Sequence, residues 1–177
     1  MTLIAFKKQL PEFATDTVKN IESLLNEQAV DDLSAKQIAE IALASAYATK
    51  QSDLISAIQQ YAQKFVNEAE IEGVKIATSI MAMTNIYYRF IHIVSESEFK
   101  KLPAKLSTDK MANHSMDKVD FELCALAVSA INNCQLCIDS HINSLKKHGA
   151  SFLSMQTAIR IAAVVNAAAQ CCLISSK

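Results

Sequence analysis

The chain has 177 residues, a formal net charge of −1 and 51% apolar residues. That length suits one domain with a sizeable core, and the apolar content is too high for a disordered chain. No basic run exceeds two residues, as in Lys146–Lys147, so the clustered positive footprint of a nucleic-acid surface is missing.

Two glycines and two prolines, against about 7% and 5% in average proteins, leave few turn and bulge residues for a β protein. The opening stretch, MTLIAFKKQLPEF, carries charge and a proline where a signal peptide needs an unbroken apolar core. LPEFATDTVKNIESLLN then places Phe13, Val18, Ile21, Leu24 and Leu25 close to one helical stripe. DDLSAKQIAEIALASAYAT opens with a capping box, Ser34 and Gln37. Helical patterning continues from Asp53 to about Val66, and from Glu72 to about Glu96, where IYYRF (86–90) reads as core packing or a subunit contact. Residues 99–118 are polar, contain Pro103 and lack clear periodicity, which predicts a connection with at most a short helix. Three more helices follow, in DFELCALAVSAINN, CQLCIDSHINSLKKHG and SFLSMQTAIRIAAVVNAAAQCCLI; Gly149 after Lys146, Lys147 and His148 is a helix-end signature. The most apolar tract, IAAVVNAAAQCCLI, holds Asn166 and Gln170 and is shorter than the ~20 residues a membrane span needs. The expectation is an all-α, single-domain, cytoplasmic protein.

A faint repeat divides the chain. LASAYATKQSDLISAI (43–58) can be laid on AVSAINNCQLCIDSHI (127–142), with Ser45–Ala46 over Ser129–Ala130. Lys50 then falls over Cys134, Asp53 over Cys137 and Ala57 over His141, so the first copy lacks the thiols. This predicts a degenerate first half (1–98), a connection (99–119) and a half carrying the site (120–177).

The chemistry concentrates in NCQLCIDSH (133–141). Five cysteines fit no secreted disulfide framework, and in a reducing compartment C-x-x-C points to redox or metal chemistry. At about 100° per residue, a helix over 134–147 puts Cys134, Cys137 and His141 within about 60° of one face. Cysteines three apart at a helix start can form a disulfide. Asn132–Asn133 reads as the break and N-cap, leaving both cysteines in the first turn, where free amides and the helix dipole favour a thiolate. Lowering a thiol from ~8.5 to ~7 takes about 2 kcal/mol, which that position and a nearby base can supply. His141, one turn from Cys137, is one candidate base. Glu122, inward-facing in an apolar helix, is the other: buried and unpaired, its carboxyl would have a raised pKa and accept a proton near neutral pH. The same side chains also suit a non-catalytic protein that senses redox state or holds zinc, with Cys134, Cys137 and His141 as ligands and Glu122 or Cys124 as a fourth, although no second C-x-x-C or H-x-x-x-H exists. Cys124, Cys171 and Cys172 read as small core residues, and His92 and His114 have no identifiable partner.

FELCALAVSAINNCQLCIDSH resembles the active-site segment of the alkyl hydroperoxidase D (AhpD) family, within the carboxymuconolactone decarboxylase-like superfamily: a glutamate, a helix ending in S-A-I-N, then C-x-x-C-x-x-x-H. MAMTNIYYRF (81–90) and LPEFATD resemble two further family stretches. The resemblance implies an all-helical fold with an internal duplication, a homotrimer, and a thiol peroxidase and disulfide reductase with no bound cofactor. It implies that Cys137, the less exposed cysteine, attacks peroxide. Cys134 would resolve the sulfenic acid as a disulfide and meet the reductant, with Glu122 and His141 as a proton relay. The implied reductant is the lipoyl group of a dihydrolipoamide acyltransferase, recharged by a dihydrolipoamide dehydrogenase and NADH, and the implied electron acceptor is the peroxiredoxin AhpC. Leu136 departs from relatives with a histidine before the second cysteine, which leaves more of the proton transfer to Glu122 and His141. A lactone-decarboxylase-like activity from the same superfamily needs no C-x-x-C, so the cysteines count against it.

Overall fold

Local signals start and stop most helices. In the computed structural model, which describes residues 1–175, the chain forms α1 (Leu3–Gln9), α2 (Thr15–Leu24), α3 (Ala35–Thr49), α4 (Ser52–Ala62), α5 (Glu68–Ile93), α6 (Lys118–Ile131), α7 (Gln135–Lys147) and α8 (Phe152–Ser175). The expected capping box opens α3: Ser34 Oγ accepts from Gln37 N at 3.2 Å, and Gln37 Oε1 accepts from Ser34 N at 3.0 Å. A second box, Asn67 with Glu70, starts α5 four residues before the Glu72 expected from periodicity. Gly149, at φ +80°, ends α7 in the left-handed conformation that glycine adopts without strain.

Two helices lie at the centre. Every residue of α3 from Ile38 to Ala46 is buried, as is every residue of α6 from Asp120 to Ser129. They pack on each other, α4, α5 and α8 surround α3, and α5, α7 and α8 surround α6. Burial on all sides explains why neither helix shows a polar stripe. The helix α8 has 24 residues and is long and apolar enough to cross a membrane by length and composition. It extends well beyond the 14-residue tract seen in the sequence, and its buried face packs against α2, α3 and α6.

A shift of 84 residues, the register of Ser45 over Ser129, carries the first residues of α3, α4 and α5 to 119, 136 and 152. The first residues of α6, α7 and α8 are Lys118, Gln135 and Phe152. The two helix triplets therefore run in the same order and spacing.

The opening stretch forms α1, capped by Thr2. Two expectations need correction. Phe13 sits in a short 3₁₀ turn, Glu12–Ala14, and is 62% exposed, outside the α2 stripe. In IYYRF the large side chains of Ile86, Tyr88 and Phe90 are exposed, not core. The connection agrees with its expected form, holding two short 3₁₀ turns, Ser97–Lys101 and Asp109–Met111.

Candidate active site

The site begins with how α6 ends. Asn132 is its C-cap and Asn133 follows at φ +57°, a left-handed conformation that asparagine tolerates better than most residues. Asn133 N donates to Ala130 O at 3.1 Å and Cys134 N to Ser129 O at 3.1 Å. These are the paired bonds of a Schellman turn. Cys134 is at once the last residue of that turn and the N-cap of α7, one residue beyond the Asn132–Asn133 break expected from the sequence. The Asn-Asn pair supplies the left-handed corner rather than the cap. Cys137 lies in the first turn, which contains no acidic residue to compete for the helix dipole.

Cys134 and Cys137 are joined by a disulfide, with Cα atoms 5.3 Å apart. Cys134 is fully buried and Cys137 is 7% exposed. Their order of exposure is thus the reverse of that implied by the family resemblance. Winding Cys134 into the turn encloses its sulfur, whereas Cys137 lines a cavity of about 330 Å³. Met81 and Tyr88 of α5, Met111 of the connection, Leu136 and His141 also line it. The lining includes no lysine, arginine or carboxylate.

His141 lies one turn beyond Cys137, and its ring is held at both nitrogens. Nδ1 is 2.7 Å from Glu122 Oε2 and Nε2 is 3.2 Å from Met81 Sδ. Glu122, buried as expected, is not unpaired: Lys118 Nζ stands 2.9 Å from Oε1. Burial pushes its carboxyl up, but hydrogen bonds from His141 and Lys118, with their charges, outweigh this and lower it to about 2. The expected raised carboxyl is therefore corrected to an anionic one. An anionic Glu122 must accept, so Nδ1 carries a hydrogen and Nε2 is the nitrogen turned to the cavity side. Lys118 is the partner that sequence reasoning missed. It stands four residues before Glu122, a spacing that places both on one helix face.

The remaining candidates fall elsewhere. Among the described residues no group of three or more His, Cys, Asp or Glu could hold a metal ion. Cys124 is fully buried, and burial, with the charges of Glu40 and Asp120, holds its thiol well above the usual range. Cys171 is buried and Cys172 partly so. His114 stacks on Phe121, with ring centroids 4.0 Å apart, and His92 is exposed in the last turn of α5.

Residues 97–171 match the model of the Carboxymuconolactone decarboxylase family. The chain is 50% identical over 175 residues to a Coxiella burnetii (strain RSA 493 / Nine Mile phase I) protein named alkyl hydroperoxide reductase AhpD, covering 99% of both chains. Proteins of the same name from Maricaulis maris (strain MCS10) and Rhodopseudomonas palustris (strain BisB18) are 45% and 41% identical. Both alignments cover 96% of this chain, with 96% of the first relative and 92% of the second.

Proposed function

Since this chain belongs to the alkyl hydroperoxide reductase AhpD family, we propose that it is an antioxidant enzyme that reduces organic hydroperoxides with the Cys134–Cys137 pair. The observation that carries this reading is the placement of Cys137 and His141 on one cavity, with His141 backed by the Glu122 carboxylate. In the dithiol form, Cys137 is the attacking thiolate, favoured by the α7 N-terminus. An S–O bond forms as the peroxide O–O bond breaks, and the leaving alkoxide takes a proton delivered through His141. Cys134 then attacks the sulfenic sulfur, and hydroxide leaves as water. One hydroperoxide and two thiols become an alcohol, water and the disulfide.

The disulfide is recharged by a dithiol, for which we infer the lipoyl group of a dihydrolipoamide acyltransferase. Because Cys134 is enclosed, the incoming thiolate meets Cys137 in the cavity and expels Cys134 as the leaving thiolate. Attack by a second thiol of the reductant completes its own disulfide. Glu122 acts as the anionic anchor that orients His141 rather than as a proton carrier. Electron transfer to the peroxiredoxin AhpC, a homotrimer and a cytoplasmic setting belong to the same reading and rest on family membership. The cavity lining mixes apolar side chains with hydroxyls and holds no lysine, arginine or carboxylate, which favours neutral organic over anionic substrates.

The test is a coupled assay with NADH, dihydrolipoamide dehydrogenase, lipoamide and an organic hydroperoxide, with and without an AhpC-type peroxiredoxin. NADH consumption that requires this protein and is abolished in Cys137→Ser is expected. Cys134→Ser should stop recycling and leave a dimedone-reactive sulfenic acid on Cys137. No consumption in either mixture sinks the reading. Consumption only with the peroxiredoxin present would make electron delivery the main task.

A further inference from the structure

The helix α5 presents Met81, Asn85 and Arg89 four residues apart, and all three reach the segment that carries the cysteines. Beyond the contact of Met81 with His141, the other two grip the turn before Cys134. Asn85, 1% exposed, donates from Nδ2 to Ser129 Oγ at 3.1 Å and accepts at Oδ1 from Asn132 Nδ2 at 3.0 Å. Arg89 Nη1 donates to the carbonyl oxygen of Asn132 at 2.9 Å. A buried amide is costly unless bonded; apart from a longer contact of Nδ2 with Met81 Sδ at 3.7 Å, the side-chain bonds of Asn85 go to the end of α6. Arg89, exposed and within IYYRF, spends its reach on one backbone carbonyl. Both therefore fasten the residue that precedes the left-handed corner at Asn133.

We propose that Asn85 and Arg89 are positioning residues for the thiol pair: they hold the Schellman turn in the conformation that sets Cys134 over Cys137, and so set the equilibrium between disulfide and dithiol. A non-glycine residue in the left-handed region is disfavoured on its own, though asparagine less than most. Fastening the turn removes the alternative conformations in which the two sulfurs separate. Releasing it lowers the effective concentration of one thiol at the other and makes the disulfide easier to reduce.

This inference rests on the redox reading above, and the test separates the two. The full-length protein is equilibrated with graded ratios of reduced and oxidised dithiothreitol, and the Cys134–Cys137 state is read by alkylation and peptide mass spectrometry. Asn85→Ala and Arg89→Leu should each shift the equilibrium about tenfold toward the dithiol, equivalent to about 30 mV for a two-electron couple. Arg89→Lys, which keeps one donor, should stay within about threefold of the parent. A merely structural role would lower the melting temperature of both redox forms alike and leave the equilibrium unmoved; that result in folded variants overturns the inference. Arg89, being exposed, keeps the test decisive if Asn85→Ala does not fold. A parent protein whose pair does not cycle at all would sink the redox reading and this inference together.

Discussion

His141 Nδ1 and Glu122 Oε2 meet at 2.7 Å across the interface of α7 and α6, with both side chains nearly sealed from solvent. Two consequences follow. The carboxylate fixes the ring so that only Nε2 serves the cavity, and the ring helps hold the carboxylate anionic. Glu122→Gln keeps the shape and removes the charge. The peroxidase rate at neutral pH is expected to fall roughly 10²-fold or more, in keeping with the loss of an orienting carboxylate behind a catalytic histidine. Stability has a definite sign as well. Because the folded carboxyl lies at about 2, below its ordinary 4.5, its contribution is complete above about 4.5 and is lost as pH falls through about 2. Denaturant melts of parent and variant should differ most near neutrality and converge on acidification. A gap that widens toward low pH would contradict the assignment.

Glu40 is the opposite case, on the neighbouring helix α3. It is fully buried in α3, and neither carboxylate oxygen has a hydrogen-bond partner. Lys36 Nζ stands 3.9 Å from Oε1, too far for a hydrogen bond, and is engaged by Asp120 at 2.9 Å and Glu70 at 3.1 Å. Burial, then the charge of Asp120, pushes Glu40 up to about 8 despite the opposing charge of Lys36. The folded state holds a proton that the unfolded state releases, so stability should fall as pH climbs from about 4.5 to about 8. Glu40→Gln should remove that slope and leave a variant more stable than its parent above pH 8, by an amount on the order of a few kcal/mol. Urea melts at pH 6 and pH 9 measure it; equal stability of the two proteins at pH 9 would refute the buried acid.

The joining of Glu122 to His141 came only from the family resemblance, whereas the cysteine motif, its helix and the place of His141 one turn beyond Cys137 are legible because they depend on short-range spacing. The capping box at Ser34 and the helix end at Gly149 were legible for the same reason. What the sequence did not reveal depends on neighbours from other helices. Glu122 looked unpaired because Lys118 and His141 were read separately from it, and two cations reverse the effect that burial alone would have. The resemblance implies that Cys134 is the more exposed cysteine; the Schellman turn instead winds it inward. Arg89 lies in a stretch read as core packing or subunit contact and Asn85 just before it, and nothing in their spacing names Asn132 as their partner. The start of α5 was placed late because an Asn-Glu capping box lies ahead of the apolar periodicity.

Met81 Sδ lies against the other ring nitrogen of His141, Nε2, at 3.2 Å. Its sulfur also faces Ser129 Oγ at 3.6 Å and Asn85 Nδ2 at 3.7 Å. Met81→Leu nearly conserves volume, so the stability cost should stay below about 1.5 kcal/mol. The apolar contact that residue 81 offers the cavity is kept, and KM for an organic hydroperoxide should change little. The ring of His141 loses the partner at Nε2, and kcat should fall about 3- to 10-fold, the signature of an interaction made at the reacting centre rather than in substrate binding. Steady-state kinetics with one hydroperoxide separates the two; a raised KM with unchanged kcat would assign Met81 to substrate packing alone.

Thiol labelling of the reduced protein offers a test that does not depend on turnover. Cys137 lines the open cavity at the start of α7, whereas Cys124 is wholly enclosed in α6, and the burial that encloses it also holds its thiol well above the ordinary range. The reactive species is the thiolate, so exposure and thiolate fraction act in the same direction for each residue. With iodoacetamide at pH 7, Cys137 should be modified first and Cys134, enclosed behind it, more slowly. Cys124 should remain unmodified until denaturant is added, because its labelling requires α6 to leave the centre of the fold, an opening that approaches global unfolding. Peptide mass spectrometry of timed samples gives the order. Labelling of Cys124 at a rate near that of Cys137 under native conditions would mean that α6 opens locally, and the central packing of α3 on α6 would need revision.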